Sequence, residues 1–121
     1  MKRIYIVSRH NGLKDWLVQR GFILGGEVVE HLNDDFFNGL NEGDVIIGVL
    51  PPWAIAKINA RGARFFAVEL PRLPREWRGK ELTPEQMDKA GAEIREVRVQ
   101  ISHALTPMAF REIAGLERTL V

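Results

Sequence analysis

The chain has no cysteine, only one tyrosine and three histidines, and almost no surplus of charge, with 17 Lys+Arg against 16 Asp+Glu for a net +1. Without cysteine there is no disulfide framework, no thiolate zinc site and no thiol nucleophile. Near-neutral charge argues against coating long DNA or RNA, because such domains carry a basic surplus. No run approaches the roughly 20 apolar residues of a membrane span. The apolar stretch Ile4-Tyr5-Ile6-Val7 stops at Ser8-Arg9-His10, too short for a signal-peptide core, so a soluble, cytoplasmic protein with no membrane partner is expected. GxGxxG, GxxxxGK[ST] and GxSxG are all missing. His31 and His103 lack metal-ligand spacing, and Asp34-Asp35 reads as turn chemistry, so no metal site and no cofactor are expected.

What is present is ordinary globular material: 121 residues, 45% hydrophobic and 27% charged, enough for one domain with a core of its own. Arg outnumbers Lys 12 to 5. That excess reads either as genome habit or as a supply of planar forks suited to phosphate and carboxylate.

Periodicity gives the organisation. Residues 3–7 form a β-rich first strand, and Leu13, Trp16 and Leu17 form a helical stripe stopped by Gly21. Val28–Leu32 reads as a short strand and Asp34-Asp35 as the start of one helical turn. The unbroken run Val45–Leu50 reads as a strand buried on both faces, as in a parallel sheet. Pro52 opens a helix over Trp53–Ala60, Gly62 closes it, and Arg64–Val68 is the next strand. Leu70–Leu82 is a long loop, and Thr83-Pro84-Glu85-Gln86 is a capping-box start. The stripe Met87, Ala90, Ile94, Val97, Ile101 predicts one helix to about His103, with a last helix from Thr106-Pro107 through Leu116. The expected fold is therefore α/β, a single domain over 1–121 with a largely parallel sheet and C-terminal helices. Its parts are an α/β core at 1–70, a basic loop at 71–82 and a helical C-terminal part at 83–121.

In open α/β sheets ligands bind beyond the carboxyl ends of the strands. Ser8-Arg9-His10-Asn11-Gly12 leaves the first strand there, just before a helix. Helix N-termini attract anions, Arg9 suits a phosphate bidentately, and His10 is the proton-transfer group near neutral pH. The plainer reading is a solvated turn in which Ser8 caps the helix and His10 is merely exposed. Leu50-Pro51-Pro52-Trp53 leaves the apolar strand, where Trp53 either stacks a base or packs on the core. Arg72, Arg75, Arg78 and Lys80 surround Trp77, which reads as a nucleotide-binding cluster or as a solvated loop with local ion pairs.

Ile4–Gly12 with Trp16-Leu17, then Gly43–Pro51, Ala60–Phe66 and Arg78–Thr83 form four blocks. In that order they resemble a small accessory family of type III CRISPR systems, of the Csx type. The resemblance spans residues 3–87; Val49 and the doubled Pro51-Pro52 with Trp53 depart from its pattern. It implies a Rossmann-like, CARF-related domain that forms a homodimer. It implies a ring nuclease whose ligand is cyclic oligoadenylate, with cyclic tetra-adenylate the expected ring. That class works without metal, by in-line attack of a ribose 2′-OH, and leaves linear adenylates with 2′,3′-cyclic phosphate. By this resemblance Arg9 stabilises phosphate charge, His10 is general acid or base, and Ser8 and Asn11 orient ribose or phosphate. Gly12 adds helix-N-terminal amides, Leu50, Pro51, Pro52 and Trp53 wall the adenine pocket, and Arg78 lies over the ligand. A non-catalytic ring sensor and a protein-interaction domain docking through the C-terminal helix are the alternatives.

Overall fold

The computed structural model describes residues 2–8 and 12–116. The main chain runs β1 (Ile4–Val7), α1 (Gly12–Gln19), β2 (Glu27–Val29), α2 (Asp34–Asn38), β3 (Val45–Gly48), α3 (Pro52–Ala60) and β4 (Arg64–Glu69). After a 3-10 turn at Arg75–Trp77 come α4 (Pro84–Lys89), β5 (Glu93–Val97) and α5 (Pro107–Ala114). The five strands lie in the order β2-β1-β3-β4-β5. The first four are parallel and β5 is antiparallel to β4. This is the expected Rossmann-like α/β architecture.

Strand alternation splits the core into two layers. Tyr5, Ile46 and Phe65 face Phe37 of α2 and Ala54, Ile55 and Ile58 of α3. Ile6, Ile47 and Val68 face Trp16 and Leu17 of α1 and Met87 of α4. Ile46 and Ile47 are both buried, which explains why β3 reads as an unbroken apolar run rather than an alternating one. At the amino-terminal edge the wholly buried Asp44 accepts from the amides of Arg3 (3.0 Å) and Asn41 (2.9 Å), pinning β1 to the turn before β3.

Helix starts follow local chemistry. Asn33 accepts from the Phe36 amide and caps α2, Pro52 opens α3, and Thr83 with Gln86 forms a reciprocal capping box on α4.

Three expectations are corrected. The strand expected over Val28–Leu32 is Glu27–Val29, because β1 offers partners only for those three residues. The β3 strand ends at Gly48, opposite Val7, the last residue of β1, so Val49 and Leu50 lie beyond the ladder. The long helix to His103 does not exist. Its capping-box start is right, but α4 ends at Lys89, and Gly91 takes φ +76°, a left-handed stop that favours glycine. The chain then returns as β5, so the 83–121 part contains a strand. Ile94 and Val97 match a helical stripe at spacing three. In the strand that odd offset sends them to opposite layers, Ile94 opposite Val68 and Val97 opposite Phe65. The pairing covers the otherwise open edge of β4. Glu96 grips Arg64 across the pair through two 2.6 Å hydrogen bonds.

Candidate functional site

Strand order reverses at β1 and β3. From β1 the chain passes over one face through α1 to β2; from β3 it passes over the other face through α3 to β4. The two carboxyl ends therefore diverge and leave a crevice, the usual ligand position in such sheets. A cavity of 420 Å³ lies there. Ser8 and Gly12 stand on its β1 side, Val49 after β3, Leu70 after β4, and Gly79, Lys80 and Leu82 on the loop that covers it. Leu13, Val68 and Met87 complete a mostly apolar wall.

Three local arrangements hold this site. The Ser8 amide donates to Val29 O at 3.1 Å, fixing the exit of β1 against β2. Gly12 opens α1 against the covering loop: a Cβ there would collide with the carbonyl oxygen of Leu82, so only glycine permits the approach. The first amides of an α-helix have no partner within the helix, so the Gly12–Leu13 end brings donors and partial positive charge to the cavity wall. Finally, α1 is tied to α4. Asp88 accepts from Trp16 Nε1 at 2.8 Å and pairs with the Arg20 guanidinium. Hydrogen bonding from Arg20, and then from Trp16, holds the Asp88 carboxyl below its ordinary pKa.

Among the expected residues, Ser8 and Gly12 meet in this cavity. Arg9, His10 and Asn11 are the three residues between them in sequence and lie outside the described residues. Leu50, Pro51, Pro52 and Trp53 do not line it. Leu50 packs on the α2/α3 layer, Pro51 and Pro52 form the start of α3, and Trp53 is half exposed. Trp53 lies 6.2 Å from the Phe37 ring, with Lys57 Nζ 5.5 Å from its own. It borders a separate and larger hollow of 670 Å³ between α3 and residues 98–101. That hollow shares no lining residue with the crevice at the switch point. Arg78 is exposed and does not line the crevice; its neighbours Gly79 and Lys80 do.

Sequence reasoning thus did not single out Lys80 or Val49 as site residues. Lys80 stood in the basic cluster, and only the course of the loop over Gly12 distinguishes it from Arg78. Among the described residues no group of three or more His, Asp or Glu is arranged to hold a metal ion. None of their helices is long and apolar enough to cross a membrane.

Comparison with known proteins places these features in a family. A family model described as "Putative CRISPR-associated protein (Cas_VVA1548)" matches residues 5–100, from β1 through β5 and including every described residue of the crevice. No curated protein and no solved structure matches.

Proposed function

This chain belongs to the CRISPR-associated family whose model it matches, and from that premise we propose that it is a ring nuclease that binds and cleaves cyclic oligoadenylate, with cyclic tetra-adenylate the expected ring. The observation that carries the reading is the switch-point crevice, where Ser8, the α1 N-terminus at Gly12 and Lys80 surround one 420 Å³ cavity. That size suits one small ligand or one nucleotide unit. A ring with rotational symmetry is then held by two copies of the crevice across a two-fold homodimer, each presenting the same anion-binding loop.

The chemistry follows from the ligand. A ribose 2′-OH attacks the adjacent phosphorus in line, and the P–O5′ bond breaks. The attacking oxygen loses its proton and the leaving 5′-oxygen gains one. The products are linear adenylates ending in 2′,3′-cyclic phosphate. The chain's task is to position the phosphate, stabilise charge that builds on its oxygens, and move protons. Lys80 and the α1 amides meet the phosphate, Arg9 adds a fork, and His10 transfers protons. Apolar Leu13, Val49, Leu70 and Leu82 wall the base. No step requires a metal ion.

One observation favours a second reading. The described lining of the crevice holds no histidine and no carboxylate, so this reading leaves proton transfer to His10. If His10 lies away from the ribose, the same crevice is a sensor that binds without cutting.

Incubating the purified protein with rings of different size in EDTA separates the two. Linear products with cyclic phosphate ends support the nuclease. Tight binding with no product over hours leaves the sensor, and no binding of any ring defeats both.

A further inference from the structure

We infer that the hollow beside α3 is a second ligand site and that it takes a nucleoside phosphate, with the base on Trp53 and the phosphate between Lys57 and Arg98.

One helix face builds the hollow. Trp53, Ala56, Lys57 and Ala60 stand at i, i+3, i+4 and i+7 of α3, the spacing that gathers side chains on one side of a helix. Two of the four are alanines, which leaves room beside the indole. The facing wall, residues 98–101, is held in place. Asn59 accepts from the Val99 amide at 2.8 Å and donates to Ala63 O at 3.1 Å, so its carboxamide braces the segment after β5 against α3. The enclosed 670 Å³ lies in the usual range of small-molecule sites, which are largely formed before the ligand arrives.

The lining selects the ligand. It holds two cations, Lys57 and Arg98, and no carboxylate. Glu96, the acid nearest Arg98 in sequence, is engaged by Arg64 through two 2.6 Å hydrogen bonds. The local charge therefore favours an anion. Trp53 is 54% exposed, so part of the indole remains open to a planar ring. Lys57 Nζ stands 5.5 Å from the centre of that indole. A nucleotide carries its phosphate one ribose away from its base, a separation of the same order. Gln100, also in the lining, adds an amide that can both donate and accept. An aliphatic anion would leave Trp53 unused, and a neutral aromatic would leave both cations unused. A nucleoside phosphate engages all of them, by the stacking beside Lys and Arg that holds bases without reading their sequence. Two cations suit one phosphate group rather than a long strand, in keeping with the net charge of +1.

No residue of the hollow lines the switch-point crevice, so this site stands whether or not the chain cleaves rings.

Titrating adenosine monophosphate into isotope-labelled protein, followed by amide NMR, tests the assignment residue by residue. The Trp53 indole N–H, the Asn59 carboxamide and the Val99 and Gln100 amides should shift together and saturate. Trp53→Ala should weaken the binding about 10- to 100-fold and leave the weaker binding of inorganic phosphate unchanged. Lys57→Glu, at an exposed side chain, should weaken both while the circular dichroism spectrum stays the same. Lys80→Ala, on the crevice, should leave the four shifts in place. No saturable shift at these groups, shifts confined to Ser8, Gly12 and Lys80, or adenosine monophosphate binding no tighter than inorganic phosphate overturns the inference.

Discussion

Trp16 on α1 and Asp88 on α4 are joined by an indole-to-carboxylate hydrogen bond of 2.8 Å. The contact matters because of what each helix carries. The first residue of α1 is Gly12, on the crevice wall, and the chain enters α4 through Leu82, whose carbonyl meets Gly12. A bond between the bodies of the two helices thus fixes the spacing of their crevice-facing ends. Since Arg20 and Trp16 hold the Asp88 pKa down, the folded carboxylate is a stronger acid than the unfolded one. Its contribution to stability is present above the unfolded pKa, about 3.9, and is lost as pH falls through the lower folded value. Asp88→Asn should therefore lower Tm at pH 7, and the gap from the unaltered protein should shrink towards pH 3. Calorimetry across that range checks it; a gap independent of pH would remove the charge from the argument.

Gly12 is the tightest packing point at the site. Gly12→Ala places a methyl against the Leu82 carbonyl, which is backbone and cannot turn away. Overpacking of this kind costs about 1–3 kcal/mol, to be read from denaturant unfolding. Ring binding should fall further than stability implies, because the helix end and the covering loop must separate. Leu17→Ala, wholly buried in the same layer, provides the contrast: about 2–5 kcal/mol of stability lost with ring affinity kept in the folded fraction.

Lys80 and Arg78 lie two residues apart on the covering loop, and only Lys80 lines the crevice. A hydrogen bond from a charged donor contributes about 1.5–3 kcal/mol, so Lys80→Ala should weaken ring binding about 10- to 100-fold. Arg78→Ala should change it only a few-fold, through the general field. Calorimetric titration at two salt concentrations separates contact from field, since screening acts mainly on the latter. The reverse ranking would return the role to Arg78.

These contrasts show how far the sequence could be read. The parallel sheet was legible because β3 is apolar on both faces and because Pro52, Gly62 and the Thr83 capping box act within a few residues. The exit of β1 was legible as a site for the same reason, since a strand ending before a helix is a local pattern. β5 was not. Met87, Ala90, Ile94 and Val97 satisfy a helical period, and only Gly91 and the unpaired edge of β4, a long-range matter, turn the chain into a strand. Lys80 was hidden likewise, because its position depends on Leu82 meeting Gly12, 70 residues away in sequence. Trp53 was read against the crevice from its place after β3, but the helix that begins at Pro52 carries it to the opposite layer.

His10 and Arg9 decide between cutting and holding. Both follow Ser8, which lines the crevice, and their chemistry differs. An imidazole moves protons in the transition state and adds little to ground-state binding, so its removal should act on turnover. General acid–base catalysis contributes about 10²- to 10⁴-fold, and His10→Ala should slow single-turnover cleavage within that range while ring affinity stays within a few-fold. A guanidinium meets phosphate charge both before and during the reaction, so Arg9→Ala should weaken binding and slow cleavage together. Rates at saturating enzyme, measured beside direct binding, separate the two effects. Undiminished cleavage in both variants would move the reacting groups away from this turn, and with them the nuclease reading of the crevice.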